Sequence, residues 1–269
     1  MKITFIGGGN MASAMIGGLL QKGFANTGMS VVEVSSVARE KLKTRYGVAV
    51  YADIAEGVAD RDVIILAVKP QQLKEVASAL KPCLQSQLVL SIAAGVRAAD
   101  LSHWLGDYPK LVRAMPNTPA MILSGVTGLY ALESVSDIEK DRADRIVQAT
   151  GSVIWVADEA LMDAVTAVSG SGPAYVFYFM EAMEEAAIGL GLSADTARKL
   201  ALETFLGAAR LAATSEEDIA TLRARVTSKG GTTERALGEM EERAVKDSII
   251  AAIRAAARRS RELGDELAR

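Results

Sequence analysis

Residues 2–6 (KITFI) form an apolar run that passes directly into Gly7, Gly8, Gly9, Asn10, Met11 and Ala12. Apolar residues at helical spacing follow: Met15, Ile16, Leu19 and Leu20. A buried strand, a glycine turn and a helix in direct succession leave few folds open. Gly7, Gly9 and Ala12 satisfy the spacing G-x-G-x-x-A. The first position makes the turn, the second lets a pyrophosphate approach the backbone, and the third lets helix pack on strand. A glycine triplet alone is weak. With a strand before it and a helix after it, the stretch reads as a dinucleotide site at a helix N-terminus.

The strands that follow fit the same architecture. Val31–Val34 is predicted as the second, and Glu33 falls about 20 residues beyond the turn, where an acid holds a ribose 2′-hydroxyl and favours NAD. Ser35, Ser36 and Arg39 come next, and hydroxyls with a guanidinium suit a 2′-phosphate and favour NADP. The residues leave both readings open, and a Glu33 on the opposite face of the strand would be merely solvated. Asp62–Val68 is nearly all apolar, as a parallel strand covered on both faces must be. It ends at Lys69 and Pro70. Leu88–Ile92 ends at Ala93, Ala94 and Gly95, small enough to admit a flat ring. Lys110–Ala114 ends at Met115–Pro119, a polar turn between two prolines. Three strands thus end in small, polar or proline-bearing loops, predicted to share one edge of the sheet, the cofactor cleft. A strand near 125–131, a helix near 136–149 and a strand near 152–156, the last strands open to antiparallel pairing, complete an N-terminal Rossmann-like doubly wound domain over 1–157.

From residue 158 to 269 strand signals stop. Helical patterns cover roughly 159–168, 173–191, 194–213, 216–223, 232–241 and 243–265, and their broad apolar faces predict oligomerisation through this all-α half. Ser169, Gly170, Ser171 and Gly172 read as a loop before Pro173, a proline suited to a first helical position. Tyr175, Phe177, Tyr178 and Phe179 lie just inside that helix and read as core or subunit contacts rather than a substrate box. Gly230 and Gly231, followed by Thr232, Thr233 and a helical pattern through Leu237 and Met240, converge amides and hydroxyls where a small anion would bind.

Composition excludes several classes. A formal net charge of −3 offers no basic field for nucleic acid. Arg254, Arg258, Arg259 and Arg261 alternate with alanines as a solvated helix face. One cysteine, Cys83, excludes an intrachain disulfide, and with one histidine, His103, no zinc set can be assembled. His103 sits beside Trp104 in a helical pattern and is expected to pack. The chain opens without a secretory pattern and has no apolar run of membrane-spanning length, which predicts a cytoplasmic protein that binds no membrane.

Six segments in order resemble the pyrroline-5-carboxylate reductase family: IGGGNMA (6–12), LAVKPQ (66–71), SIAAGV (91–96), RAMPNTPA (113–120), VSGSGPAYVF (168–177) and VTSKGGTTERAL (226–237). The resemblance runs over nearly the whole chain. It implies a helical domain that binds substrate and dimerises, with assemblies up to a decamer of five dimers. It also implies reduction of L-1-pyrroline-5-carboxylate to L-proline, with NADPH as cofactor and NADH as the alternative, and no metal. By the same resemblance Ile6, Gly7, Gly8, Gly9, Asn10, Met11, Ser35, Ala67, Val68, Lys69 and Pro70 contact the cofactor, with Ala93 and Ala94 near the nicotinamide. Ser228, Gly230, Gly231 and Thr232 hold the substrate carboxylate, and Thr233 hydrogen-bonds the ring nitrogen as the catalytic residue. Asp53 departs from the asparagine of many members near the adenosine ribose, which touches NADP preference. Lys229 stands where some members have proline.

Two other readings meet obstacles. A β-hydroxyacid dehydrogenase needs a catalytic lysine on the helix after Gly172, but no Lys or Arg occurs from Ser171 to Ala197. A nucleotide sensor without turnover leaves the glycine–threonine nest at 230–233 without a purpose.

Overall fold

The computed structural model describes residues 1–269. The first half alternates strand and helix: β1 (Ile3–Ile6), α1 (Asn10–Gln21), β2 (Met29–Val32), α2 (Ser36–Tyr46), β3 (Ala49–Tyr51), α3 (Ile54–Val58), β4 (Val63–Leu66), α4 (Pro70–Leu80), β5 (Leu88–Ser91), α5 (Ala98–Trp104) and β6 (Leu111–Met115). Then come β7 (Gly125–Ala131), α6 (Asp137–Val147) and β8 (Gly151–Trp155). All eight strands form one sheet in the order β3-β2-β1-β4-β5-β6-β7-β8. The first six are mutually parallel, β7 runs antiparallel to β6, and β8 is parallel to β7. The order 3-2-1-4-5-6 is that of two βαβαβ halves, so the carboxyl ends of the parallel strands share one edge.

β1, β4 and β5 are buried along their full length, which explains their near-continuous apolar sequences. Alternate residues serve opposite faces. Ile3, Phe5, Val63, Ile65, Leu88 and Leu90 join α1 and α6 in one core, while Ile6, Ile64, Leu66 and Val89 join α4 and α5 in another. Each such side chain removed from water contributes about 1.5–3 kcal/mol.

The remaining elements are helical: α7 (Leu161–Val165), a π-turn at Thr166–Gly170, α8 (Gly172–Gly189), α9 (Ala194–Thr214), α10 (Ile219–Arg225), α11 (Thr232–Glu242) and α12 (Val245–Leu267). The chain separates into two compact units, 1–171 with 256–269, and 172–255. This division by packing differs from the expected one at 157/158. α7 packs on the sheet so closely that a Cβ on Gly128 of β7 would lie 2.5 Å from Val165 Cγ1. The last turns of α12 belong to the first unit because Leu263 and Leu267 cover Gly95, Asp265 pairs with Arg97, and Ser260 donates to Asp163 Oδ1 at 2.7 Å. Ser169–Gly170, expected as loop, closes the π-turn through the Ser171 amide donating to Thr166 O at 2.9 Å. His103 is also corrected: its side chain is 79% exposed beside Asp107, and Trp104 alone packs inward.

Candidate active site

Gly7 has φ +99°, and its amide donates to Val32 O at 2.9 Å, so the turn leaves β1 bound to the end of β2. A Cβ at Gly7 would lie 2.6 Å from Ala67 O and 3.0 Å from Val68 Cγ1. Close approach of the turn to the loop after β4 therefore requires glycine. The middle glycine is covered by a movable side chain instead, since a Cβ on Gly8 would lie 2.5 Å from Leu42 Cδ1. At Gly9 nothing lies within 4 Å. Gly9 is the N-cap of α1, no side chain caps that helix, and its first turn contains no acid. An open second glycine above uncapped amides fits a pyrophosphate.

The other expected cofactor residues lie along the same edge. Ala67 and Val68 follow β4, and Lys69 caps α4, with Pro70 at its first turn and no side-chain cap. Asn10 is exposed and Met11 half-buried, whereas Ile6 is 3% exposed and belongs to the core. Ala94 is exposed after β5, but Ala93 is buried in the core, so only its backbone is available to a ligand. Asn117 fixes the next loop: its Oδ1 accepts from Val126 N at 2.9 Å, and its Nδ2 donates to Ser169 O at 3.4 Å. Sequence reading saw there only a polar turn between prolines.

β2 ends at Val32, two residues short of the expected strand, and this decides where Glu33 points. Its carboxylate turns back onto the glycine turn, accepting from Gly8 N at 3.0 Å and from Ser35 N at 2.9 Å. The solvated-face reading falls. Arg39 Nη1 donates to Glu33 O at 2.6 Å and Val34 O at 2.9 Å, and Ser35 Oγ caps α2 by accepting from Ala38 N. Asp53 likewise caps α3, accepting from Glu56 N.

Residues 228–233 lie in the second unit. Gly230 has φ +71°, and its amide donates to Glu234 Oε2 at 2.7 Å, so this glycine supplies the turn and its own amide is engaged. Gly231 donates to Ser228 O at 3.0 Å and caps α11, which has no side-chain cap. A Cβ at Gly231 would lie 2.5 Å from Ser228 Oγ, so that hydroxyl is seated against the turn. Thr232 is exposed and Thr233 half-buried in the first turn of α11. Uncapped amides beside two hydroxyls suit a small carboxylate.

Sequence reading missed one ion pair, between a buried arginine and a half-buried glutamate. Arg113, 5% exposed, donates to Glu159 Oε1 at 2.9 Å, and the same oxygen accepts from Ala98 N at 2.5 Å. This links β6, α5 and the segment before α7; the only sequence signal was an arginine in a strand that should be apolar. No group of three or more His, Cys, Asp or Glu side chains is placed to hold a metal ion. No helix is long and apolar enough to cross a membrane.

The 3-2-1-4-5-6 sheet with an open glycine turn at its first β–α junction defines a Rossmann-type dinucleotide-binding protein with a helical second part. Residues 2–95 match the family model described as NADP oxidoreductase, coenzyme F420-dependent, and residues 159–263 match that described as pyrroline-5-carboxylate reductase dimerisation. The chain is 46% identical to a pyrroline-5-carboxylate reductase of Pseudomonas aeruginosa over 99% of its own length and 98% of that protein's. It is 41% identical to the Synechocystis enzyme of the same name, with 98% of each chain covered. A pyrroline-5-carboxylate reductase structure from Coxiella burnetii superposes with TM-score 0.93 at 44% identity, covering 97% of this chain and 98% of the other. The Plasmodium falciparum pyrroline carboxylate reductase, solved with NADP bound, gives 0.88 at 29%, covering 98% of each. The chain belongs to the pyrroline-5-carboxylate reductase family.

Proposed function

We propose that this protein reduces L-1-pyrroline-5-carboxylate to L-proline, the last step of proline biosynthesis, with NADPH or NADH. The observation that carries the reading is the pairing of two differently built anion sites on one chain of this family: the open glycine turn at 7–9 and the uncapped start of α11 at 231–233. The first suits a pyrophosphate and the second a carboxylate.

In this reading the amides of Thr232 and Thr233, with the Ser228 hydroxyl, hold the substrate carboxylate, while Gly230 and Gly231 shape the turn. Thr233 hydrogen-bonds and orients the ring nitrogen, and relays a proton to it through water when the imine arrives unprotonated. Ile6–Met11, Ser35, Ala67–Pro70 and the backbone at Ala93 and Ala94 hold the cofactor. The bound nicotinamide supplies the hydride. An imine that arrives as its conjugate acid needs no strong general acid, which is consistent with a chain whose one histidine is exposed and remote from both motifs in sequence. Positioning supplies most of the acceleration.

The dimerisation match over 159–263 supports a homodimer, and five dimers forming a decamer is the larger assembly we propose. A cytoplasmic location accords with the reduced dinucleotide it consumes. The test is oxidation of NADPH and of NADH by the purified protein, with and without L-1-pyrroline-5-carboxylate. Substrate-dependent oxidation with proline as product supports the reading. Binding of either dinucleotide without turnover would overturn it in favour of a sensor or another substrate.

A further inference from the structure

We propose that Glu33 is the residue that sets cofactor choice in this protein, and that it selects NADH over NADPH. The inference rests on the dinucleotide reading of the glycine turn and deepens it.

Discrimination between the two cofactors happens at the adenosine ribose, where one presents a 2′-hydroxyl and the other a 2′-phosphate. In a Rossmann sheet that group meets the carboxyl end of the second strand and the turn that follows it. Here the Glu33 carboxylate already occupies this place. One oxygen accepts from Gly8 N at 3.0 Å and the other from Ser35 N at 2.9 Å. The side chain thus spans from the glycine turn to the start of α2, and both its oxygens are fixed by backbone. A carboxylate held this way still has lone pairs for a ribose hydroxyl, since each oxygen can accept more than one hydrogen bond.

A 2′-phosphate would meet the opposite conditions. It would bring a second anion beside a fixed carboxylate, and the Ser35 amide it could use is taken. The opposing charge is Arg39, whose Nη1 is committed to the carbonyls of Glu33 and Val34 at 2.6 and 2.9 Å, which holds its guanidinium against the backbone of the turn beside the fixed carboxylate. The Ser35 hydroxyl oxygen is engaged in capping α2. Part of the hydrogen-bonding capacity of Ser35 and Arg39 is thus spent on the backbone of the β2–α2 turn, and the Ser35 O–H is left as a donor that a ribose hydroxyl can use as well as a phosphate.

Binding of NAD+ and NADP+ to the full-length protein, measured by titration calorimetry without imine substrate, separates this proposal from the catalytic reading. The wild type should bind NAD+ at least about tenfold more tightly, a difference of about 1.4 kcal/mol. Glu33→Gln keeps an acceptor for the Gly8 amide and removes the charge; it should move the NAD+/NADP+ affinity ratio toward NADP+ by about tenfold or more. Glu33→Ser gives the same direction in a shorter side chain, and thermal unfolding verifies that both variants are folded. A wild type that prefers NADP+, or a ratio that stays put in both variants, would overturn the proposal. If the wild type binds neither dinucleotide, the underlying reading of the turn fails and this one with it. Selective NAD+ binding without imine reduction would sink the assigned substrate and leave the role of Glu33 standing.

Discussion

Gly7 and Gly9 stand two residues apart in one turn and have opposite surroundings. Gly7 is left-handed and a Cβ there would lie 2.6 Å from a backbone carbonyl, while Gly9 has open space above it. Gly7→Ala should lower stability by about 1–3 kcal/mol, from strain and overpacking together. Gly9→Ala should change stability by less than about 1 kcal/mol and instead raise the KM for dinucleotide, because its methyl would stand over the amides of α1. Thermal unfolding beside steady-state kinetics checks both, and a Gly9→Ala protein with unchanged KM would contradict the assigned pyrophosphate site. Thr233 carries the catalytic expectation: Thr233→Ala should reduce kcat/KM by about tenfold to a hundredfold, and Thr233→Ser should restore most of it. Full kcat and KM in the alanine variant would remove its role. The glycine spacing was legible because each position answers a steric requirement. The direction of Glu33 was not, since it depends on β2 stopping at Val32, and an alternating pattern does not fix where a short strand ends.

At the scale of elements, α6 has the most explicit start signal in the chain. Ser136 accepts from Glu139 N, and Glu139 Oε2 accepts from Ser136 N at 2.9 Å, a reciprocal capping box; Glu139 Oε1 pairs with Lys110 at 2.8 Å. Burial pushes the Glu139 carboxyl up, but Lys110 and the Ser136 hydrogen bonds outweigh it and hold it below the usual carboxylate range. A carboxyl depressed in the folded state stabilises fully above its unfolded pKa, and that contribution is lost as pH falls through the lower folded value. Glu139→Gln should therefore cost about 1–2 kcal/mol near pH 7, and the difference from wild type should shrink on acidification below about pH 4. Unfolding temperatures of both proteins across pH 3–8 test this; a pH-independent difference would contradict it. Long elements were legible because their burial writes a period into the sequence, as α1 and β4 do. β3 was not: it has three residues, it lies at the sheet edge, and none of its side chains is fully buried. The π-turn at 166–170 was hidden too, since its Ser-Gly composition is that of a loop.

At the scale of the molecule, the helical part presents apolar surface that one chain leaves uncovered. Phe177, Tyr178 and Leu190 are 64, 72 and 86% exposed, and α8 has no fully buried residue. Sedimentation should find the wild type as a dimer or a multiple of dimers, and Phe177→Glu should shift it toward monomer. A monomeric wild type would contradict the dimer. The order of the two halves was legible from the change of period near residue 158. The return of 256–269 to the first unit was not, because Ser260, Gly264 and Leu267 read simply as positions on a long helix until their partners Asp163, Gly95 and Arg97 are placed. Imine reduction forms one C–H bond, at the former imine carbon, and a labelled hydride reports where it goes. Purified protein given L-1-pyrroline-5-carboxylate and NADH or NADPH deuterated at the transferable nicotinamide position should yield L-proline with deuterium on the ring carbon that was the imine carbon. Proline without that label, or no proline while dinucleotide binds, would contradict imine reduction by this chain.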